Sequence, residues 1–255
     1  MFVEQFRFEE PAVVNVVGGG GKTSLILCLL SEFSRCGAVV YSTTTRIHPP
    51  DPGQGMMLLA SDNEELLRLM VKRTADVWGE RHLRLVVTRP RLSEELLAGV
   101  SPGFSSRLVS ERCPLILNEA DGARSMSLKM PRNNEPVLME GARYLVPVVG
   151  LDCLNKPLGP QTLFRWELAK ERHGLREGTL LTPEVVASLL LHREGVCKGW
   201  KAEMEIIPFI NKVDDASADS SARALAAAML RNSNFPVRRV VVGSALNRRA
   251  ASVAA

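Results

Sequence analysis

Four consecutive glycines, Gly18-Gly19-Gly20-Gly21, constrain this chain more than any other stretch because of what flanks them. The run Val13-Val14-Asn15-Val16-Val17 precedes them, and Lys22-Thr23-Ser24 followed by the apolar pattern Leu25-Ile26-Leu27-Cys28-Leu29-Leu30 comes after. This predicts a strand, a tight turn and a helix. Glycine lets a backbone wrap closely round an anion, since positive φ costs it little and no Cβ blocks the approach. Such a turn aims backbone N–H groups at a phosphate from the positive end of the helix dipole. Lys22 would then reach the terminal phosphates and Thr23 would offer its hydroxyl to Mg²⁺, with Gly18 to Ser24 as the nucleotide contacts. The usual G-x-x-x-x-G-K-[ST] spacing would place its first glycine where Val16 stands; the shorter G-x-x-G-K-T, Gly18 to Thr23, is present instead. A merely flexible turn with a solvated lysine is the competing reading.

Two later stretches extend the argument. Pro114-Leu115-Ile116-Leu117 runs into Asn118-Glu119-Ala120-Asp121-Gly122. A buried strand ending in acidic residues is how nucleotide-binding sheets present a carboxylate to Mg²⁺. In an extended chain Glu119 and Asp121 point to the same side, so one could hold the metal and the other orient water or substrate. A turn with two solvated carboxylates is the alternative. The strand expected from Glu205 to Ile210 ends in Asn211-Lys212-Val213-Asp214, an N-K-x-D pattern. Guanine presents two adjacent donors that an ionised Asp214 can accept together, whereas adenine does not. Asn211 could bond the base edge or tie loops together, and the Lys212 stem could lie along the base. Alternatively, Asp214 or Asp215 simply caps the next segment.

Other elements are predicted at Ala38 to Ser42, Met56 to Ala60, Leu83 to Thr88 and Tyr144 to Val149 as strands, with a last strand from Val237 to Val242. Helices are expected from Glu65 to Lys72 behind a Ser61/Glu64 capping box, from Ser93, at Gln161 to Arg172, after Thr182-Pro183-Glu184, and at Ala222 to Leu230. Thr43-Thr44-Thr45-Arg46 closes the second strand, either as continuing strand propensity or as a crevice lining. The irregular polar stretch Gly122 to Glu135, which carries Lys129, reads as a substrate contact, a nucleotide-responsive switch or a surface excursion. Strands alternating with helices over 255 residues predict one α/β domain, a P-loop NTPase-like three-layer sandwich with a mostly parallel sheet. Its core would span about residues 12–244, followed by a short frayed basic tail.

Composition excludes several function classes. A net charge of +4 with 5% aromatics and no basic stripe argues against a nucleic-acid partner. Five dispersed cysteines (28, 36, 113, 153, 197) and four dispersed histidines suggest neither a disulfide framework nor a zinc cage. With no signal-peptide pattern at Met1-Phe2-Val3-Glu4-Gln5 and no bilayer-spanning apolar run, a cytoplasmic protein is expected, without a membrane partner.

The segments GGGGKTS, STTTRI, LNEADGAR, LKMPRNNEPV, VVGLDCLNKPL, LTPEVVASLL and FINKVD, in that order from about Val13 to Ser244, resemble one family. It is that of the YqeC-like accessory proteins of selenium-dependent molybdenum hydroxylases. The resemblance implies a bacterial cytosolic P-loop protein that assists maturation of those hydroxylases or their cofactor. It carries over Gly18, Gly21, Lys22 and Thr23 to the nucleotide, Glu119 and Asp121 to the acidic pair, and Asn211, Lys212 and Asp214 to the base. Thr43 to Thr45, Lys129, Glu135 and Arg165 also match, without an assigned role. Three readings remain: an Mg²⁺-dependent GTPase or ATPase, a small-molecule kinase or ligase, or a nucleotide-gated assembly chaperone docking on the apo-hydroxylase; the acidic pair argues against a plain nucleotide-binding module with no turnover. Cys153 is expected to be an inert buried thiol.

Overall fold

The computed structural model describes residues 1–33, 38–78, 83–93, 95–105, 108–109, 113–215 and 219–254, so Cys36 and His82 lie outside the described residues. β1 (Ala12–Gly18) lies between β7 (Leu115–Glu119) and β8 (Tyr144–Gly150), parallel to both. On the β7 side follow β2 (Ala38–Thr43), β5 (Leu83–Ser93) and β4 (Met57–Ala60), all parallel. On the β8 side follow β10 (Phe209–Asn211) and β11 (Arg239–Ser244), with β9 (Glu205–Ile206) beside the start of β8. The chain thus builds outward from β1 in both directions, and the carboxyl ends of β1, β7 and β8 frame the crevice where open α/β sheets take ligands.

Burial on both faces explains why these strands read as continuous apolar runs. Val14 and Val16 point into a cluster with Phe2 and Phe6 of α1 (Phe2–Phe6) and Leu25, Ile26 and Leu29 of α2 (Lys22–Phe33). Val13 and Val17 point to the other face. There Val13 meets Leu67 and Val71 of α3 (Glu64–Trp78). Val17 joins the cluster built on α4 (Trp166–His173), α5 (Pro183–Leu190) and α6 (Asp219–Leu230). A mixed α/β architecture with helices on both sides of a mostly parallel sheet results. Among the described residues no helix is long and apolar enough to cross a membrane.

The structure departs from the sequence expectations at several points. No helix starts at Ser93: β5 continues to that residue, and β6 (Leu96–Ala98) turns back antiparallel to it and to β3 (Arg46–Ile47). The basic tail is not frayed, because Arg249–Ala254 forms β12, paired antiparallel with β11 along its length. The strand expected from Glu205 to Ile210 is split into β9 and β10 at Pro208, which has no N–H for a ladder. α4 begins only at Trp166, since Arg165 before it is left-handed at φ 62. Asn63, not Ser61, caps α3, its Oδ1 accepting from the amides of Glu65 and Leu66, while Glu64 accepts from the backbone and hydroxyl of Ser101. Thr182 caps α5 as expected, with Pro183 in the first turn.

Candidate functional site

The glycine turn is pressed against four different neighbours. A Cβ on Gly18 would sit 2.4 Å from Val148 O, on Gly19 2.5 Å from Met126 O, on Gly20 2.0 Å from Gly150 N and on Gly21 2.4 Å from Asn211 Nδ2. Gly20 and Gly21 also have φ of +75° and +111°. Three of the four glycine amides are already bonded within the protein. Gly18 N donates to both carboxylate oxygens of Asp121 at 3.1 Å, Gly19 N to Val148 O and Gly20 N to Met126 O. Among the described residues the amides of Gly21, Lys22, Thr23 and Ser24 have no acceptor; Gly21 leads into, and the other three open, the 12-residue α2. The backbone donors left open at this turn are therefore those of Gly21 to Ser24.

From Lys22 runs a chain of alternating charges. Lys22, only 4% exposed, donates to Gly18 O at 2.7 Å, and its Nζ lies 3.2 Å from Asp121 Oδ1 and 3.8 Å from Glu119 Oε1. Asp121 Oδ2 lies 3.0 Å from Lys129 Nζ, which also donates to Gly122 O at 2.7 Å and Glu135 Oε2 at 2.9 Å. Glu135 in turn accepts a two-pronged pair from Arg165. Burial raises the carboxyl of Glu135, and the hydrogen bonds and charges of Arg165 and Lys129 outweigh it, holding it at about 2. The stretch Gly122 to Glu135 is irregular, as expected, but it is no surface excursion. Leu128, Lys129 and Met130 are buried, and Met126 O and Ser127 O accept from Gly20 and Gly150. It forms a strap laid across the glycine turn.

Glu119 ends β7 next to the start of α2. Its Oε2 accepts from Thr23 Oγ1 and from the phenol of Tyr41, both at 2.9 Å, and Thr43 Oγ1 donates to its backbone carbonyl. Burial first, then the adjacent Glu119 charge, pushes the Tyr41 phenol well above its usual range, so it stays a donor. Tyr41 carries no sequence signal for this role; the cross-strand register, Thr43 opposite Glu119, brings it there. Thr43 to Thr45 brace the crevice: Thr45 N donates to Thr43 Oγ1 and Thr44 Oγ1 to Val137 O, while Arg46 is exposed. Among the described residues no group of three or more His, Cys, Asp and Glu is placed to hold a metal. The described cysteines are free and buried, and burial pushes the Cys153 thiol up to about 12, in line with an inert role.

The N-K-x-D residues lie at the same edge. Asn211 is a tie between loops: its Nδ2 donates to Gly20 O at 2.7 Å and its Oδ1 accepts from Ala245 N at 2.9 Å. Lys212, at φ 64, donates to Ser127 Oγ on the strap and to Asp152 Oδ2. Asp214 is exposed, and its Oδ1 accepts from Ser244 Oγ at 2.6 Å, at the end of β11.

A curated relative, "Uncharacterized protein YqeC" of Escherichia coli (strain K12), is 26% identical over 210 residues, which is 80% of this chain and 77% of that protein. No solved structure matches the chain. The family profile described as YqeC protein matches residues 14–167, from β1 through the acidic strand end and the strap to Arg165 and the start of α4, and the chain belongs to that family.

Proposed function

We propose that this YqeC-family protein binds a magnesium nucleoside triphosphate, GTP in preference to ATP, and hydrolyses its terminal phosphate. It does so in the cytosol as an accessory to maturation of selenium-dependent molybdenum hydroxylases or their cofactor. One observation carries the nucleotide reading. The Lys22 ammonium, 3.2 Å from Asp121, 3.8 Å from Glu119 and bonded to Gly18 O, belongs to the same short turn as the four acceptor-free amides of Gly21 to Ser24. An anion held by those amides meets that ammonium, which trades a carboxylate for phosphate oxygens.

The residues present fit Mg²⁺. Thr23 Oγ1 and Glu119 Oε2 are hard oxygen donors 2.9 Å apart, and Mg²⁺ is commonly bound by few protein ligands with waters and phosphate oxygens completing its shell. Thr23 and Glu119 would hold it, and the ion would supply neutralisation of charge on the phosphates. Asp121 was expected to share this task. It is instead occupied by Gly18 N, Lys22 and Lys129, so we assign it to holding the loop and strap together.

Guanine is supported by Asp214, whose Oδ1 is fixed by Ser244 while Asn211 joins that loop to Gly20. Adenine would leave the carboxylate without its two donors, a penalty by which hydrogen-bonding sites discriminate. The accessory role is supported by family membership. The test is a titration of the protein with GTP and ATP, with and without Mg²⁺, followed by analysis of the products. Metal-dependent GTP binding with release of inorganic phosphate supports the reading; absence of binding to both nucleotides overturns it. The strap's bond to Gly20 favours a second reading, a nucleotide-gated chaperone with little intrinsic catalysis. Slow turnover that rises on adding apo-hydroxylase would select it. Phosphate appearing on a small acceptor would select the kinase or ligase alternative.

A further inference from the structure

The charges already inside the site cancel: Lys22, Lys129 and Arg165 are matched by Glu119, Asp121 and Glu135. A magnesium-bound triphosphate remains net negative, and more charge gathers on its oxygens as the terminal phosphoryl group departs. A cation not already committed is needed beside it. Arg124 has the position and the freedom. It follows Asp121 by three residues, at most about 11 Å between Cα atoms. Two residues further on, Met126 O accepts from Gly20 N at 2.8 Å. Arg124 is thus bracketed between two points of the strap that are pinned to the phosphate loop.

The backbone there is forced. Arg124 and Ser125 are consecutive non-glycine residues at φ 47 and 61, a left-handed pair that side chains with a Cβ rarely adopt and that persists only when its surroundings impose it. Arg124 is exposed, and its guanidinium rests over the Phe164 ring, 5.5 Å from the centroid. Among the described residues it has no carboxylate partner. Arg165 lies on the same ring at 4.4 Å but is tied to Glu135. Of the two arginines on Phe164, only Arg124 can leave it, and an exposed cation–π contact is a weak hold.

We propose that Arg124 is a catalytic arginine stored on Phe164, which turns to the terminal phosphate of the bound triphosphate during hydrolysis. This rests on the nucleotide hydrolysis proposed above. In that step a water oxygen forms a bond to the γ-phosphorus while the bond from that phosphorus to the bridging oxygen breaks. The bonding pair stays on the bridging oxygen of the departing diphosphate, and the water protons pass to inorganic phosphate and solvent. Arg124 donates two N–H groups to the oxygens on which charge grows, which binds the transition state better than the ground state.

The test uses the full chain with Arg124→Asn, since asparagine tolerates the left-handed backbone, and with Arg124→Lys. Three quantities are read: kcat for GTP in Mg²⁺, the Kd of a fluorescent N-methylanthraniloyl GDP, and the tightening of that Kd by aluminium fluoride, which mimics the phosphoryl group in transit. Arg124→Asn should lower kcat by about 10³-fold and abolish the fluoride effect, while the GDP Kd moves by less than about 3-fold. Arg124→Lys should recover only part of the rate, as it keeps the charge without the fork. The proposal is overturned if Arg124→Asn keeps kcat within about 5-fold, keeps the fluoride tightening, or weakens GDP binding as much as it slows turnover. A wild-type protein that binds GTP but loses nothing with the variant refutes Arg124 alone. A wild-type protein that binds no nucleotide refutes the hydrolase reading and this one with it.

Discussion

Replacing Lys129 by Met asks whether the buried charge chain is what holds the strap. The side chain is fully buried, and methionine keeps most of the apolar stem, so the change falls mainly on the ammonium. All three of its N–H groups have acceptors, at 2.7 Å (Gly122 O), 2.9 Å (Glu135) and 3.0 Å (Asp121). Removing one partner of a buried ion pair costs about 3–5 kcal/mol, because a charge is left uncompensated. Here Asp121 keeps Lys22 and Gly18 N, and Glu135 keeps Arg165, which places the cost at the lower end, about 3 kcal/mol. For a chain of this size that lowers Tm by about 6–12 °C. Thermal melts followed by circular dichroism give the shift, and urea titration should show a lower midpoint at unchanged slope. Because Lys129 and Glu135 touch, the double variant Lys129→Met, Glu135→Gln should cost at least about 1 kcal/mol less than the sum of the singles. A Tm within about 2 °C of wild type, or additivity within about 0.5 kcal/mol, would refute the reasoning.

Lys22→Met should weaken triphosphate binding by about 10- to 100-fold, measured by calorimetry, with a smaller loss for a nucleoside monophosphate; equal losses for both would remove Lys22 from the terminal phosphates. Asp214→Asn should shift preference from GTP toward XTP, since an amide can donate to xanthine's 2-oxo group, by about 10²-fold in the ratio of affinities; an unchanged ratio in competition titrations would exclude Asp214 from base recognition. The Glu135 carboxyl, held at about 2 against an ordinary 4.5, contributes stability that is complete above pH 4.5 and is lost as pH falls from there toward 2. After allowance for solvent screening this is about 2 kcal/mol, so Glu135→Gln should flatten the acid limb of the stability curve between those pH values in urea melts. An acid limb as steep as that of wild type would show that other carboxylates set it.

What the sequence made legible were patterns carried by neighbouring residues. The glycine turn, the acidic end of β7 and N-K-x-D are each contiguous, and each lies at a strand end because an apolar run stops there. What stayed hidden depends on register or on irregular backbone. Tyr41 reaches Glu119 only because β2 lies beside β7 in one alignment. Lys129 meets Asp121 across eight residues that follow no periodic path. The Ser-Glu-Glu-Leu-Leu stretch after Leu92 has helical composition, yet Gly99 N bonds to Thr45 O and Val100 N to Thr43 O, so tertiary pairing draws the following segment against the end of β2. Likewise the alanine-rich β12 has little strand propensity and takes its form from β11, where packing overrides composition. The five residues of α1 are too few to form a helix alone, but Phe2 and Phe6 pack their rings on Phe209.

The crowding round the glycines has an evolutionary meaning. The four abut three parts of the chain: Gly18 and Gly20 the backbone of β8 at Val148 and at the Val149–Gly150 peptide, Gly19 the strap, and Gly21 the Asn211 amide. No single compensating change elsewhere could make room for a methyl group at all four positions. Exhaustive replacement along residues 16–24 should therefore return Gly18 to Gly21 as a block of four adjacent codons at which only the parent survives selection for folded protein, in contrast to solvent-facing Thr23 and Ser24 beyond buried Lys22. Packing alone, whatever the loop binds, would oblige a lineage to keep it.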